Sequence, residues 1–269
     1  MSGRYVTTTR LAALAGSLSP QAWQILGSLD RVRIASGRQL ERLHFASVPS
    51  PERQCRRLLR ELTERGVIIR LERRVGGVER GSGSYCYVLA RTGQRLLDRP
   101  GPAGRGRQRR PWTPGLPFLR HSLAVTETYV RLVEAERRGA CELLDWVGEP
   151  GCWRRFTAAG GPPAVLKPDA LVRLALGDYV DAWFLEADRG TESPATLVRK
   201  LDAYRAYWTS GREQATNGVF PRILWLVPDA ARAELVRELA DQQPQAAGRL
   251  HLVRPFDELV PTVLAGADA

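Results

Sequence analysis

Lysine is nearly missing from this chain. Of its 40 basic residues only Lys167 and Lys200 are lysine, and all the others are arginine. Cysteine is sparse and scattered: Cys55, Cys86, Cys141 and Cys152 form no CxxC pair and have no histidine at ligand spacing, which argues against a zinc site or a disulfide framework. That usage suits a reducing cytoplasm. Long apolar runs are absent as well. The stretch LAALAG at 11–16 is far too short to span a bilayer and weak as the core of a signal peptide, so a soluble, unexported chain with no membrane partner is expected. No Walker A loop and no G-x-S-x-G elbow occur, which sets aside ATP-driven action and a nucleophile-elbow hydrolase.

What is present divides unevenly. The 269 residues are comfortable for two domains. Residues 1–117 carry 22 Arg, no Lys and 8 acidic residues, a charge of +14, whereas the remainder carries 18 basic and 21 acidic residues, a charge of −3. A positive field confined to one end predicts a polyanionic partner, and nucleic acid fits better than a membrane because no basic amphipathic helix of membrane type accompanies it.

Within that basic part, Ser19-Pro20 starts one helix with Trp23, Leu26 and Leu29 as its stripe, and SGRQ at 36–39 has the capping-box form that starts a second. A third helix spans SPERQCRRLLRELTERG at 50–66. Cys55, Leu58, Leu59 and Leu62 fall on one face, and Arg53, Arg56, Arg57 and Arg60 on the other. VIIRLERRV and YCYVLA, joined by a Gly-rich turn, read as a hairpin carrying Arg73, Arg74 and Arg80. Helix, helix, Arg-faced helix and basic hairpin is the order of a winged helix-turn-helix, here residues 18–97, in which the third helix enters the major groove of double-stranded DNA and the wing reaches phosphates. Residues 98–116, rich in Pro, Gly and Arg, read as a linker.

The second domain, 117–258, begins with a helix marked by Leu119, Leu123, Val130 and Val133. Strands follow at CELLDWV, VLKPDALVRLAL, YVDAWFLEAD, RILWLVP and RLHLVRP, with helices near 194–210 and 229–241. This pattern predicts an α/β fold with a mixed central sheet, so the chain as a whole is expected to be α/β and multidomain. Strand alternation puts Lys167, Asp169, Leu171 and Arg173 on one face, and Phe184, Glu186 and Asp188 on one face; the Gly177-Asp178 turn makes the two strands a hairpin that sets Asp169 beside Glu186. Crowded carboxylates call for a cation, and an all-oxygen set of Asp169, Glu186 and Asp188 suits Mg²⁺ or Mn²⁺. Lys200 borders the buried stripe Leu197, Leu201, Tyr204 and Trp208 of the next helix and can point at the sheet. An ammonium there stabilises a developing phosphorane oxygen or orients a water, with Lys167 as a second candidate.

Pro168-Asp169, then Glu186-x-Asp188, then Lys200 resembles the PD-(D/E)xK nuclease superfamily, whose restriction-endonuclease-like fold the resemblance implies; the motif expects Lys where this chain has Asp188. Longer segments, LSPQAWQILGSLDRVRIASGRQLERLHF, RPWTPGLPFLRHSLAV, CWRRF, LKPDALVRL, WFLEADRGTES and GVFPRILWLVP, resemble the bacterial replication-relaxation family. That resemblance implies a winged-helix protein, often of plasmids or other mobile elements, acting in relaxation of DNA for replication. Two expectations stand side by side. One is a Mg²⁺-dependent endodeoxyribonuclease whose second domain nicks DNA. The other is a non-catalytic initiator or regulator whose second domain is a degenerate scaffold for a homodimer or for replication or mobilisation proteins, its acidic cluster being ion pairs of Glu186 and Asp188 with Arg173, Arg189 or Lys200.

Overall fold

Serine caps and interrupting prolines shape the elements of both halves of the chain. The computed structural model describes residues 7–75, 84–98, 114–157 and 161–266, and the chain forms two units, Met1–Val130 and Arg131–Ala269. Among the described residues no helix is long and apolar enough to cross a membrane. The fold is α/β.

In the first unit, α1 (Thr8–Ser17) and α2 (Pro20–Val32) precede a short strand β1 (Ile34–Ser36) and helices α3 (Gly37–His44) and α4 (Pro51–Glu64). The Ser19 hydroxyl accepts from Ala22 N at 3.2 Å, and Ser36 and Gln39 complete the capping box in both directions. Ser50 differs from the pattern its sequence suggests. Its backbone is left-handed, φ 51°, and its side chain makes no cap hydrogen bond, so α4 starts on Pro51 alone. Strands β2 (Ile68–Val75) and β3 (Ser84–Leu89) pair antiparallel, with β1 on the far side of β3 in the order β1-β3-β2, followed by α5 (Arg91–Leu97).

The N-terminal part of α6 (Leu116–Arg137) completes this unit's core. Leu119 is buried with Ile34, Leu71 and Cys86; Thr126 Oγ1 donates to Ile34 O at 2.6 Å; and Arg42 pairs with Glu127 at 2.6 Å. Residues 117–130, read from sequence as the opening of the second domain, thus belong to the first unit by their packing. The 98–116 linker falls mostly in residues 99–113, outside the described residues.

The second unit is built on a five-stranded mixed sheet. Its strands are β4 (Glu142–Gly148), β7 (Ala170–Leu176), β8 (Tyr179–Ala187), β9 (Arg222–Val227) and β10 (His251–Pro255), in the order β10-β9-β8-β7-β4. Strands β8, β9 and β10 run parallel, β7 runs antiparallel to β8, and β4 runs antiparallel to β7. A separate ribbon, β5 (Arg154–Thr157) and β6 (Pro163–Leu166), precedes β7. The stretch that reads as one strand, VLKPDALVRLAL, is therefore two. Pro168 has no N–H for a ladder, so β6 ends before it and β7 begins after it.

Helices α7 (Pro194–Thr209), α8 (Arg212–Asn217), α9 (Ala230–Asp241), α10 (Gln245–Gly248) and α11 (Leu259–Ala265) complete the unit. Leu197, Leu201, Tyr204 and Tyr207 of α7 join Phe184, Ile223, Trp225, Val236 and Val253 in one core. Tyr207 takes the place expected of Trp208, because its hydroxyl donates to the buried carboxylate of Glu213, which Arg154 also pairs at 2.9 Å.

A close approach in the first unit gives a stability test. A Cβ on Gly93 of α5 would stand 2.3 Å from the Val67 carbonyl oxygen, whereas one on Gly27 of α2 would meet nothing within 4 Å. Gly93→Ala should cost about 1–3 kcal/mol, and Gly27→Ala should gain about 0.8 kcal/mol. Thermal unfolding reads both, and a neutral Gly93→Ala would contradict the packing.

Candidate functional site

The arginine face of the first unit follows from burial. Cys55, Leu59 and Leu62 of α4 are buried, leaving Arg53, Arg56, Arg57 and Arg60 exposed on the opposite side. Arg56 pairs with Glu52 and Arg60 with Glu64 at 3.9 Å, both one helical turn away in solvent, where such pairs are worth about 0.3–0.5 kcal/mol and yield readily to a phosphate. Among the described residues Arg53 and Arg57 have no ion-pair partner. Arg73 and Arg74 lie on β2, their side chains outside the described residues, and Arg80 lies outside them altogether.

In the second unit the ladder decides where the carboxylates go. Ala170 pairs with Leu185, and the Asp169 amide donates to Leu185 O at 3.0 Å, so the antiparallel register carries on to place Asp169 across from Glu186. Both are buried, at 7% and 1% exposure. Asp169 Oδ2 accepts from Ala187 N at 2.7 Å. Ser193 caps α7, and that helix brings two donors to Glu186: Lys200 Nζ at 3.0 Å on Oε2, and the Tyr204 hydroxyl at 2.7 Å on Oε1. Lys200 also pairs with Glu192 at 2.9 Å.

Burial pushes the Glu186 carboxyl up to about 7; Lys200 pulls it down and the neighbouring Asp169 pushes it up. For Lys200 burial acts downward, but Glu186, Asp169 and Glu192 outweigh it and hold the ammonium protonated. On the far side of Tyr204 and Trp225 sits His251, whose Nδ1 accepts from Trp225 Nε1 at 3.0 Å and whose burial lowers its pKa to about 4.

Asp188 stands apart from this group. The strand ends at Ala187, and Asp188 turns to Arg232 of α9, whose Nε donates to Oδ2 at 2.6 Å, while Gly190 N donates to Oδ1 at 2.8 Å. Arg232 also donates to the Glu192 carbonyl at 2.8 Å, which fixes the loop that carries Glu192 to Lys200. Lys167 is not in the group either: it is exposed and lies over the Trp153 ring at 4.8 Å. The structure therefore brings Asp169, Glu186 and Lys200 together and adds Tyr204 and Glu192. Among the described residues no three His, Cys, Asp or Glu side chains converge as a metal site, and neither Arg173 nor Arg189 pairs with these carboxylates. Arg232 has no local signal in sequence, being 44 residues from its partner. Tyr204 has one: a tyrosine on a buried stripe needs a partner for its hydroxyl.

A sequence model of the replication-relaxation family matches residues 26–223, most of the chain. The chain belongs to the replication-relaxation family. No curated protein and no solved structure matches significantly. The match runs from α2 through β9, so it takes in the Arg face of α4 and the Asp169–Glu186–Lys200 group of this replication-relaxation protein.

Titration of Glu186 gives a pH signature. Its folded carboxyl titrates near 7 against an ordinary 4.5, so the folded state holds more protons between those values; the stability it contributes is full below the lower value and lost as pH rises through the upper. His251 works oppositely, with a contribution present above 6.5 and lost as pH falls through about 4. Between about pH 5 and pH 8 wild type should lose roughly 2–3 kcal/mol relative to Glu186→Gln, at about 1.4 kcal/mol per pKa unit. Parallel urea-unfolding curves for the two proteins across that range would contradict the burial of a titrating Glu186.

Proposed function

We propose that this replication-relaxation protein grips duplex DNA with its first unit and nicks it with its second, relaxing plasmid or other mobile-element DNA for replication. The observation that carries the proposal is the meeting of Asp169, Glu186 and Lys200, delivered by the start of β7, by β8 and by α7. The first unit supports the binding half: α2, α3 and α4 with the β2–β3 hairpin follow the order of a winged helix-turn-helix, whose third helix lies in the major groove, and α4 offers Arg53, Arg56, Arg57 and Arg60 outward.

The donor set bears on the metal. Mg²⁺ is commonly held by one or two carboxylates together with water and substrate phosphates, and Asp169 and Glu186, adjacent across the ladder, fit that requirement, whereas Asp188 is committed to Arg232. Mg²⁺ or Mn²⁺ on Asp169 and Glu186 would supply an activated water and charge neutralisation for phosphodiester hydrolysis. The chain's own groups do the rest. Lys200 stays protonated and offers a compact positive charge to a developing phosphorane oxygen, Tyr204 fixes the orientation of the Glu186 carboxylate, and Glu192 steadies the ammonium. In this arrangement Lys200 on α7 takes over the task that the nuclease motif assigns to the position of Asp188.

A second reading rests on a specific observation: both oxygens of Glu186 and both of Asp188 already accept hydrogen bonds from protein donors. On that reading the group is a buried ion-pair network, and the second unit is a scaffold for a second copy or for replication or mobilisation proteins, with no hydrolysis. Supercoiled circular DNA incubated with the protein and Mg²⁺, Mn²⁺ or chelator separates the two. Nicking should require the metal and disappear in Asp169→Asn, Glu186→Gln and Lys200→Met, while DNA binding keeps a salt slope of about −4 to −5 from roughly five phosphate contacts. Intact circles under every condition, with binding retained, would sink the nuclease half and leave the scaffold.

A further inference from the structure

The β5–β6 ribbon separates its two faces sharply. On the inner face Phe156 and Leu166 are buried in the core with α7, and Arg154 reaches the buried Glu213. Register pairs Arg154 with Leu166 and Arg155 with Val165, so alternation puts Trp153, Arg155 and Lys167 together on the outer face. Arg155 and Lys167 are exposed, and Trp153 is half-buried, packed in part against the core and in part open to solvent. Lys167 Nζ lies 4.8 Å from the centre of the Trp153 ring, and the indole Nε1 donates to Glu149 Oε1 at 3.1 Å, which holds the ring at a fixed tilt. No acidic residue lies on the ribbon itself.

This outer face leads straight to the carboxylate group. Lys167, Pro168 and Asp169 are consecutive, and Cys152 Sγ donates to the Pro168 carbonyl at 2.9 Å, tying the start of the ribbon to the turn that delivers Asp169. The exposed charges of the ribbon's outer face, Arg155 and Lys167, are therefore positive and flank an aromatic ring whose edge is held by Glu149, while Asp169 and Glu186 are acidic and buried.

We infer that Trp153, Arg155 and Lys167 form a platform for a single DNA strand, which it guides past Asp169 and Glu186. Charge complementarity identifies the occupant. Arg155 and Lys167 are about two residues, roughly 7 Å, apart along the ribbon, two exposed cations that can follow the phosphates of one strand. A ring beside two cations is the combination that binds an unpaired strand: bases stack on the ring whatever their identity, and the cations follow the backbone. Lys167, one of only two lysines in the chain, thereby acquires a role outside the catalytic group. The inference rests on the proposal that the protein acts on DNA, and it assigns the second unit a strand-binding surface separate from the arginines of α4.

The test uses the full chain and a fluorescein-labelled oligonucleotide, presented single-stranded and as duplex, with anisotropy measured across a salt series. Arg155→Glu/Lys167→Glu, both exposed positions, should weaken single-strand binding by about tenfold and make the salt slope shallower by about 1.4, the loss of two phosphate contacts. Arg53→Glu/Arg57→Glu should instead weaken the duplex. Photocrosslinking to an oligonucleotide carrying 5-iodouracil should label the peptide containing Trp153. Unchanged single-strand affinity in Arg155→Glu/Lys167→Glu, with the duplex still weakened by Arg53→Glu/Arg57→Glu, would overturn the platform and leave the DNA reading intact. Absence of any DNA binding by wild type would overturn both, and a loss confined to the duplex arm would overturn the single-strand assignment.

Discussion

A carboxylate with 1% exposure inside an α/β core is the constraint on which the second unit depends. Glu186 has left water, and an ionised group in that position requires compensating donors. Lys200 and Tyr204 supply them from successive turns of α7, so the helix has one docking position against β8 that satisfies both oxygens. Lys200 in turn needs Glu192, and Glu192 sits in a loop held by Arg232, which also satisfies Asp188. A chain of polar contacts thus runs from β8 through α7 and the 188–192 loop to α9. Removing Lys200 or Arg232 leaves Glu186 or Asp188 buried without its cation, a loss of about 3–5 kcal/mol.

That arrangement serves two requirements at once. Structurally it fixes the strand ends and the helix that follows them. Chemically it keeps a protonated amine against a carboxylate whose own proton affinity is raised by burial and by Asp169, a pairing of groups typical of sites that handle charge. The arginines of α4 have no comparable buried task. They stand in solvent, and the two with partners hold them in pairs too weak to compete with a phosphate backbone. Replication-relaxation membership covers both features, the outward arginines of one unit and the buried Asp169–Glu186–Lys200 group of the other, and the action on DNA assigned to them here is our proposal.

Much of this was legible in the sequence because it rests on local rules. The caps at Ser19, Ser36 and Ser193, the buried face of α4, the β7–β8 hairpin and the pairing of Asp169 with Glu186 all follow from spacing and turn chemistry. Lys200 was legible for the same reason, lying on the border of a helical stripe. The misreadings came where one residue interrupts a period or where partners are distant. Pro168 cuts an apparent strand in two and throws Lys167 onto a different sheet face, and the end of β8 at Ala187 releases Asp188 from the face it would share with Glu186. Arg232 and Glu213 satisfy groups far away in the chain, and α6 gives its first part to the core of the first unit although its pattern reads as one uninterrupted helix.

The most direct measurement of the central claim is a double-mutant cycle on Glu186→Gln and Lys200→Met, read by urea unfolding of the full chain. If a buried Glu186–Lys200 pair holds β8 to α7, Lys200→Met, which leaves Glu186 buried without its cation, should cost about 3–5 kcal/mol, and the double change should cost less than the sum of the two singles by at least about 1–2 kcal/mol. Additive losses, or a Lys200→Met protein within about 0.5 kcal/mol of wild type, would contradict the pair and the site built on it.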